Sequence, residues 1–293
     1  MKLKISIFLL VISVMTLSIS LSEYNNVIPQ YIRFYYLKFF DNALLSSVGD
    51  IEYRLIAHGG GGINGKVYTN SLEALNNSYK NGFKFMELDL HITSDNHIVA
   101  VHDWSEWSEF VGLSDMHLPP SLREFKKYKL FNSYTPLDIN DINNWFISHP
   151  DTYLVTDKIK DLTLLANFIF DTNRVYVETF DIQGYKDALN LGFQPMFSMP
   201  AIKSHKDKAH VLDLILRNNI EYVVAPSVYA FKYPELLKII SSIAKVFSYG
   251  QYSGKDKSPF FLNEVDTICI QSDYFYGTYS DFVIPLNFNC LIK

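Results

Sequence analysis

The chain has 293 residues, the length of one large α/β domain, and 15% of them are aromatic. This composition supplies ample core material and excludes an intrinsically disordered chain. The formal net charge is −5, and no long basic run occurs. Because binding to nucleic acid depends on clustered lysine and arginine, we expect no nucleic-acid partner.

The first 22 residues have the pattern of a segment that directs export. Lys2 and Lys4 precede an apolar run over residues 5–21, and small residues allow cleavage before Glu23. An uncleaved membrane anchor is the alternative, since a run of about 17 residues lies at the lower limit for a membrane span. Both alternatives predict that the rest of the protein is periplasmic, secreted or held at a membrane outside the cytoplasm.

The remaining chain divides into two parts. Residues 23–50 are rich in Tyr, Phe and Leu and suggest a helical extension that packs on the main domain or rests on a membrane. Residues 51–293 form the main domain. Its two cysteines, Cys269 and Cys290, could form a disulfide after export, although a buried free thiol at Cys269 is equally compatible with its apolar surroundings. Two cysteines are too few for a Cys-based zinc site.

From residue 54 onward, short apolar runs alternate with helix-like stretches. This alternation is typical of a parallel α/β barrel of the TIM type. Nine strand candidates compete for eight places, so one should be an outer or hairpin strand. These candidates are 55–57, 85–90, 98–101, 153–155, 175–179, 195–197, 222–224, 245–247 and 267–270, and the main helices are expected at 71–81, 135–148, 162–170, 209–217 and 234–243.

Two carboxylates, Glu87 and Asp89, lie two residues apart on a predicted strand. Side chains alternate along a strand, so both project from the same face. The apolar neighbours of the two acids suggest that both faces of this strand are buried. Two buried carboxylates repel each other, and a hard divalent cation such as Ca²⁺ or Mg²⁺ removes that cost while creating a site for phosphate oxygens.

Two histidines follow predicted strands in the same way. His58 comes after the first strand and precedes a run of four glycines, and His102 comes after the third strand. Catalytic groups of α/β barrels lie at such strand ends. A histidine pair beside a metal-held phosphate suits the roles of general base and general acid.

These motifs occur in a fixed order within residues 55–104, and the stretch resembles the glycerophosphodiester phosphodiesterase family. The matching pieces are His58-Gly59-Gly60, Thr69-Asn70-Ser71, Glu87-Leu88-Asp89 and His102-Asp103. The resemblance implies a barrel in which His58 and His102 act as acid and base and Glu87 and Asp89 bind a divalent metal. It also implies small phosphodiesters, either glycerophosphodiesters or phospholipid head groups, as substrates.

The resemblance also implies residues on the fourth and fifth strands. Asp157 is expected as the third metal ligand and Lys158 as a phosphate contact, although adjacent strand residues normally face opposite sides unless a bulge intervenes. Lys160 is the alternative to Lys158. Glu178 is expected at the mouth of the barrel, as a ligand or hydrogen-bond partner.

Two departures from the family pattern bear on the substrate. Gly59 stands where the family has an arginine that grips phosphate, and Thr69 stands where it has a glutamate. Gly59 would then contact the substrate through its backbone, and Trp104 could stack on a choline-like cation. Alternative functions are a catalytically weak barrel that binds a phosphorylated head group and a metal-free phospholipase C-like enzyme.

Overall fold

The computed structural model describes residues 54–113, 117–202, 207–250 and 273–281. Eight parallel strands form a closed barrel, since β1 pairs with β2 on one side and with β9 on the other. The hairpin strand β3 pairs antiparallel with β2 outside this ring. The strands are β1 (Leu55–Ala57), β2 (Phe85–Ile92), β3 (Ile98–Ala100), β4 (Tyr153–Asp157), β5 (Val175–Thr179), β6 (Gln194–Ser198), β7 (Tyr222–Pro226), β8 (Lys245–Tyr249) and β9 (Gly277–Ser280).

Helices connect most of the parallel strands, as expected for a TIM-type barrel. They are α1 (Leu72–Lys80), α2 (Trp104–Val111), α3 (Leu122–Lys127), α4 (Ile139–Ser148), α5 (Leu162–Phe168), α6 (Ile182–Asn190), α7 (Lys208–Arg217), α8 (Tyr229–Lys232) and α9 (Pro234–Ser241). Several begin at side-chain caps: Ser71 accepts a hydrogen bond from the Ala74 N–H, and Asp138 caps α4 with a capping box.

The period of two along each strand separates two kinds of core. Side chains of one parity pack between the strands and the helices, as Met86 and Leu88 do. Side chains of the other parity fill the interior of the barrel, where all eight parallel strands contribute to one cluster. The interior cluster comprises Ile56, Phe85, Val155, Met196, Val224, Phe247 and Tyr279, with Tyr176 packed against it.

The predicted barrel and its extra hairpin strand are confirmed, with differences at some elements. Helix α4 begins at Ile139 instead of residue 135, because Asp138 supplies its cap. The helices α2, α3, α6 and α8 were not among the predicted ones. The predicted strand 267–270 lies outside the described residues, and the last barrel strand is β9.

The segment over residues 1–50 and both cysteines also lie outside the described part of the chain, so the predictions for them stay predictions. Within the described part, none of the helices combines the length and apolar character needed to cross a bilayer.

Candidate active site

Polar side chains take over from apolar ones at the carboxyl end of the barrel interior. On five strands, the residue two positions after an interior residue is a histidine or a carboxylic acid. The pairs are Ile56 and His58, Phe85 and Glu87, Val155 and Asp157, Tyr176 and Glu178, and Tyr279 and Asp281. Because parallel strands end on the same side, these groups gather at one rim, where barrel enzymes carry their catalytic groups.

Three carboxylates form the centre of this rim. The register of the sheet places Asp89 directly beside Asp157 on the neighbouring strand. Ligand oxygens of Glu87, Asp89 and Asp157 all lie within 4.8 Å of one another. Burial, followed by the negative charge of Asp89, raises the pKa of Asp157 to about 6, and burial with the same neighbour raises the pKa of Glu87 well above its usual value.

Lys158 joins this cluster through its backbone conformation. Its φ is +62°, and the Ile159 N–H donates to the Asp157 carbonyl at 2.7 Å, so the chain turns sharply at the end of β4. The Lys158 Nζ consequently lies 3.3 Å from Asp157 Oδ2 and 3.9 Å from Asp89 Oδ1. This turn at the strand end, and not a bulge within β4, brings both side chains to the cluster. The alternative residue, Lys160, is exposed.

Two neighbours hold the carboxylates in place. The Asn70 side chain donates to Asp89 Oδ2 and accepts from the Asp89 N–H, both at 2.9 Å. Since Ser71 caps α1, Asn70 is free to make this paired contact. The Gly59 N–H donates to Glu87 Oε2 at 2.6 Å. Gly59, predicted to contact substrate, thus directs its N–H to a predicted metal ligand.

Each predicted acid/base histidine has a carboxylate partner. The His58 Nδ1 lies 3.2 Å from Asp281 Oδ1, and Asp281 is buried just after β9. The His102 Nδ1 lies 3.0 Å from Glu106 Oε2, one turn along α2. The Glu106 carboxylate raises the pKa of His102 to about 9, against the opposing effect of burial. Such partners fix the orientation of an imidazole ring.

The two histidines are in contact with a common neighbour. The ring of Tyr68 lies 4.6 Å from the ring of His58 and 5.1 Å from the ring of His102, centroid to centroid. Burial, and then the charge of Asp281, raises the pKa of the Tyr68 hydroxyl, which therefore stays protonated.

Sequence reasoning missed three residues of this rim: Tyr68, Glu106 and Asp281. The spacing of four between His102 and Glu106 could have indicated their contact once a helix was assigned there.

Of the remaining predicted site residues, one lies at the rim and one packs against neighbouring aromatic rings. Glu178 lies at the rim on β5, and burial followed by the charge of Asp157 raises its pKa to about 7. Trp104 packs against His91 and Phe125 and is half-buried. Trp107, one turn further along α2, is 1% exposed and belongs to the core.

The carboxylates have the properties of a divalent-cation site. All three supply the oxygen ligands that Ca²⁺ and Mg²⁺ prefer. Asp157 Oδ1 is buried and has no hydrogen-bond partner among the described residues, and burial, followed by the charge of Asp89, raises the pKa values of both Asp157 and Glu87. A bound divalent cation would offset these charges, so the residues present fit such a metal. The fold and this rim together define an α/β-barrel protein with a candidate site for a divalent cation and for acid/base chemistry.

Comparison with known proteins finds the same family resemblance in part of the chain. Residues 60–164, which include all three carboxylates and His102, match the model of the glycerophosphoryl diester phosphodiesterase family. The resemblance predicted from the motifs is thus confirmed. The matched segment is similar to a family of phosphoric diester hydrolases, the enzyme class that the motifs predicted. No curated protein matches the chain.

Solved structures support the same fold. A glycerophosphoryl diester phosphodiesterase from Parabacteroides distasonis is 18% identical, with a TM-score of 0.56 over 78% of this chain and 82% of that one. A glycerophosphodiester phosphodiesterase from Thermotoga maritima is 15% identical, with a TM-score of 0.54 over 78% and 93%. An Oleispira antarctica phosphodiesterase in complex with its product sn-glycerol-3-phosphate is 14% identical, with a TM-score of 0.57 over 78% and 92%.

Proposed function

We propose that this protein is a metal-dependent phosphodiesterase that hydrolyses glycerophosphodiesters. The observation that carries the proposal is the gathering of three carboxylates, two of them buried, with a lysine and two carboxylate-paired histidines at one rim of the barrel. The family match supports the reaction class, and the product bound to the Oleispira antarctica relative supports the glycerol phosphate part of the substrate.

Each group has a role in this proposal. Glu87, Asp89 and Asp157 would hold a divalent cation, Ca²⁺ or Mg²⁺, which when bound offsets negative charge on the phosphoryl oxygens. Lys158 lies beside two of these ligands and supplies a further positive charge to the phosphate. The paired carboxylates keep both imidazoles oriented toward the substrate.

The two histidines divide the proton transfers. We assign His58 as the base that removes a proton from the attacking water. His102, whose pKa of about 9 keeps it protonated near neutral pH, then donates a proton to the leaving alkoxide. The products are a phosphomonoester and an alcohol.

A turnover assay with histidine variants tests the proposal. Purified protein is given a panel of glycerophosphodiesters with and without a chelator. We expect turnover that the chelator abolishes and that falls at least about a hundredfold in both His58→Ala and His102→Ala. His210→Ala, which changes an exposed histidine on α7, should retain full activity.

Three results would contradict the proposal. Near-normal turnover in both site variants would exclude the histidine pair. Turnover that survives exhaustive chelation would favour a metal-free phospholipase C-like reaction. A folded protein without turnover on any diester, with either metal added, would favour a barrel that only binds phosphorylated head groups.

The location of the enzyme is a separate part of the proposal. Residues 1–22 have the sequence of an export signal or anchor, so the barrel would act outside the cytoplasm on head groups at or near a membrane. Cell fractionation with an antibody against the barrel tests this, and recovery only from the cytoplasm would contradict it.

A further inference from the structure

Tyr68 occupies a position that the two histidines define. Its ring contacts both imidazoles, at 4.6 Å from His58 and 5.1 Å from His102. A phosphodiester that exchanges protons with both histidines must lie within hydrogen-bond reach of both. A half-buried side chain in contact with both imidazoles therefore borders the space in which the phosphate lies.

The backbone holds Tyr68 there in an unusual conformation. Its φ is +55°, a region that bulky residues rarely adopt and that is concentrated at functional sites. A Cβ atom on Gly59 would lie 2.6 Å from the Tyr68 Cα, so the glycine permits this close packing. On its other side Gly59 donates to Glu87, which links the position of Tyr68 to the carboxylate cluster.

We propose that Tyr68 is a substrate-binding residue whose phenol donates a hydrogen bond to a non-bridging oxygen of the phosphodiester. The inference rests on the proposed function, because it requires a phosphate between the two histidines. Tyr68 would serve as an uncharged donor beside a charged one, Lys158.

The chemistry of this rim favours such a donor. Burial, followed by the charges of Asp281, Glu87 and Asp89, raises the pKa of the Tyr68 hydroxyl, so the phenol keeps its proton and can act as a donor. A neutral hydroxyl can donate to an anionic oxygen without forming an ion pair with these acids. Hydrogen bonds to charged partners are the stronger kind, so losing this one should weaken phosphate binding about tenfold or more.

Binding and turnover of Tyr68→Phe test the proposal. This change removes the hydroxyl and keeps the ring between the imidazoles. Affinities of the full-length protein for sn-glycerol 3-phosphate and for inorganic phosphate are measured by calorimetry with Mg²⁺ present. The matched control is Tyr153→Phe, which removes a hydroxyl at the opposite end of the barrel, where Tyr153 stacks on Phe85.

We expect Tyr68→Phe to bind both ligands about tenfold more weakly, with a matching rise in KM and an unchanged melting temperature, while Tyr153→Phe binds like the wild type. Affinity within threefold of the wild type would overturn the inference, whatever the turnover.

The two measurements also separate this inference from the proposed function. Wild-type protein that binds phosphate through Tyr68 but shows no turnover would contradict the proposed function and leave the inference standing. A wild-type protein that binds neither sn-glycerol 3-phosphate nor inorganic phosphate would contradict both the inference and the proposed function.

Discussion

The most direct physical test of the carboxylate cluster is a substitution that should make the metal-free protein more stable. Asp157 is 20% exposed, and its pKa is raised from 3.8 to about 6 by burial and by the neighbouring charge of Asp89. Replacing it with asparagine keeps the shape and removes the charge. We expect Asp157→Asn to stabilise the chelated protein and to abolish stabilisation by a divalent metal.

The magnitude and its pH dependence follow from the pKa shift. An acid whose pKa is raised by folding costs no stability below its unfolded pKa, and the cost grows as the pH rises from about 4 to about 6. A shift of about two units corresponds to about 3 kcal/mol at pH 8, and to roughly half of that at pH 5. The attraction of Lys158 already contributes to this net shift.

Urea denaturation in a chelating buffer measures the effect. Free energies of unfolding are compared at pH 5 and pH 8 for the wild type and Asp157→Asn. The control is Asp151→Asn, near the other end of β4, where Lys84 lowers the pKa of an exposed carboxylate. That change should instead cost up to about 1 kcal/mol at pH 8.

Three outcomes would contradict this prediction. If metal-free Asp157→Asn is less stable than the wild type at pH 8, the carboxylates are not held in mutual repulsion. If its advantage is the same at pH 5 and pH 8, the effect does not arise from ionisation. Stabilisation by metal that persists in Asp157→Asn would exclude this residue as a ligand.

Two further predictions concern residues that contact the acid/base and metal-binding groups. Glu106→Gln should lower the pKa of His102 from about 9 toward its ordinary 6.5, since the Glu106 carboxylate is the main cause of the shift. An NMR titration of the imidazole measures this pKa, and an unchanged value would contradict the prediction. Asn70→Ala removes both hydrogen bonds that orient Asp89 and should weaken metal binding about 10- to 100-fold, as measured by competition with a chelating dye. Unaltered metal affinity in that variant would show that Asp89 needs no such support.

Much of the barrel could be predicted from local patterns. The first strand agrees with the prediction residue for residue. The helix after it, expected at 71–81, runs from Leu72 to Lys80 between the cap residues Ser71 and Asn81, because capping and hydrophobic period are properties of neighbouring residues. The alternation of side chains along a strand likewise predicted that Glu87 and Asp89 share one face.

The last barrel strand shows where local patterns fail. The sequence Gly277–Ser280 contains small and polar residues and does not have an apolar strand pattern, yet all four residues are buried. They are buried because β9 closes the ring between β1 and β8. Gly277 is required there, since a Cβ atom would lie 2.3 Å from the Arg54 carbonyl oxygen. Because this strand was not predicted, Asp281, which follows it, was not recognised as a residue of the site.

The sequence by itself determined the fold class, the order of the motifs and the strand ends that carry His58, His102 and the paired acids, because each depends on residues a few positions apart. Only the tertiary structure decided which distant groups meet. Asp281 reaches His58 through strand closure, and Tyr68 lies between the histidines through a glycine that permits close packing. Such contacts depend on the pairing of segments far apart in the chain, about which local periodicity carries no information.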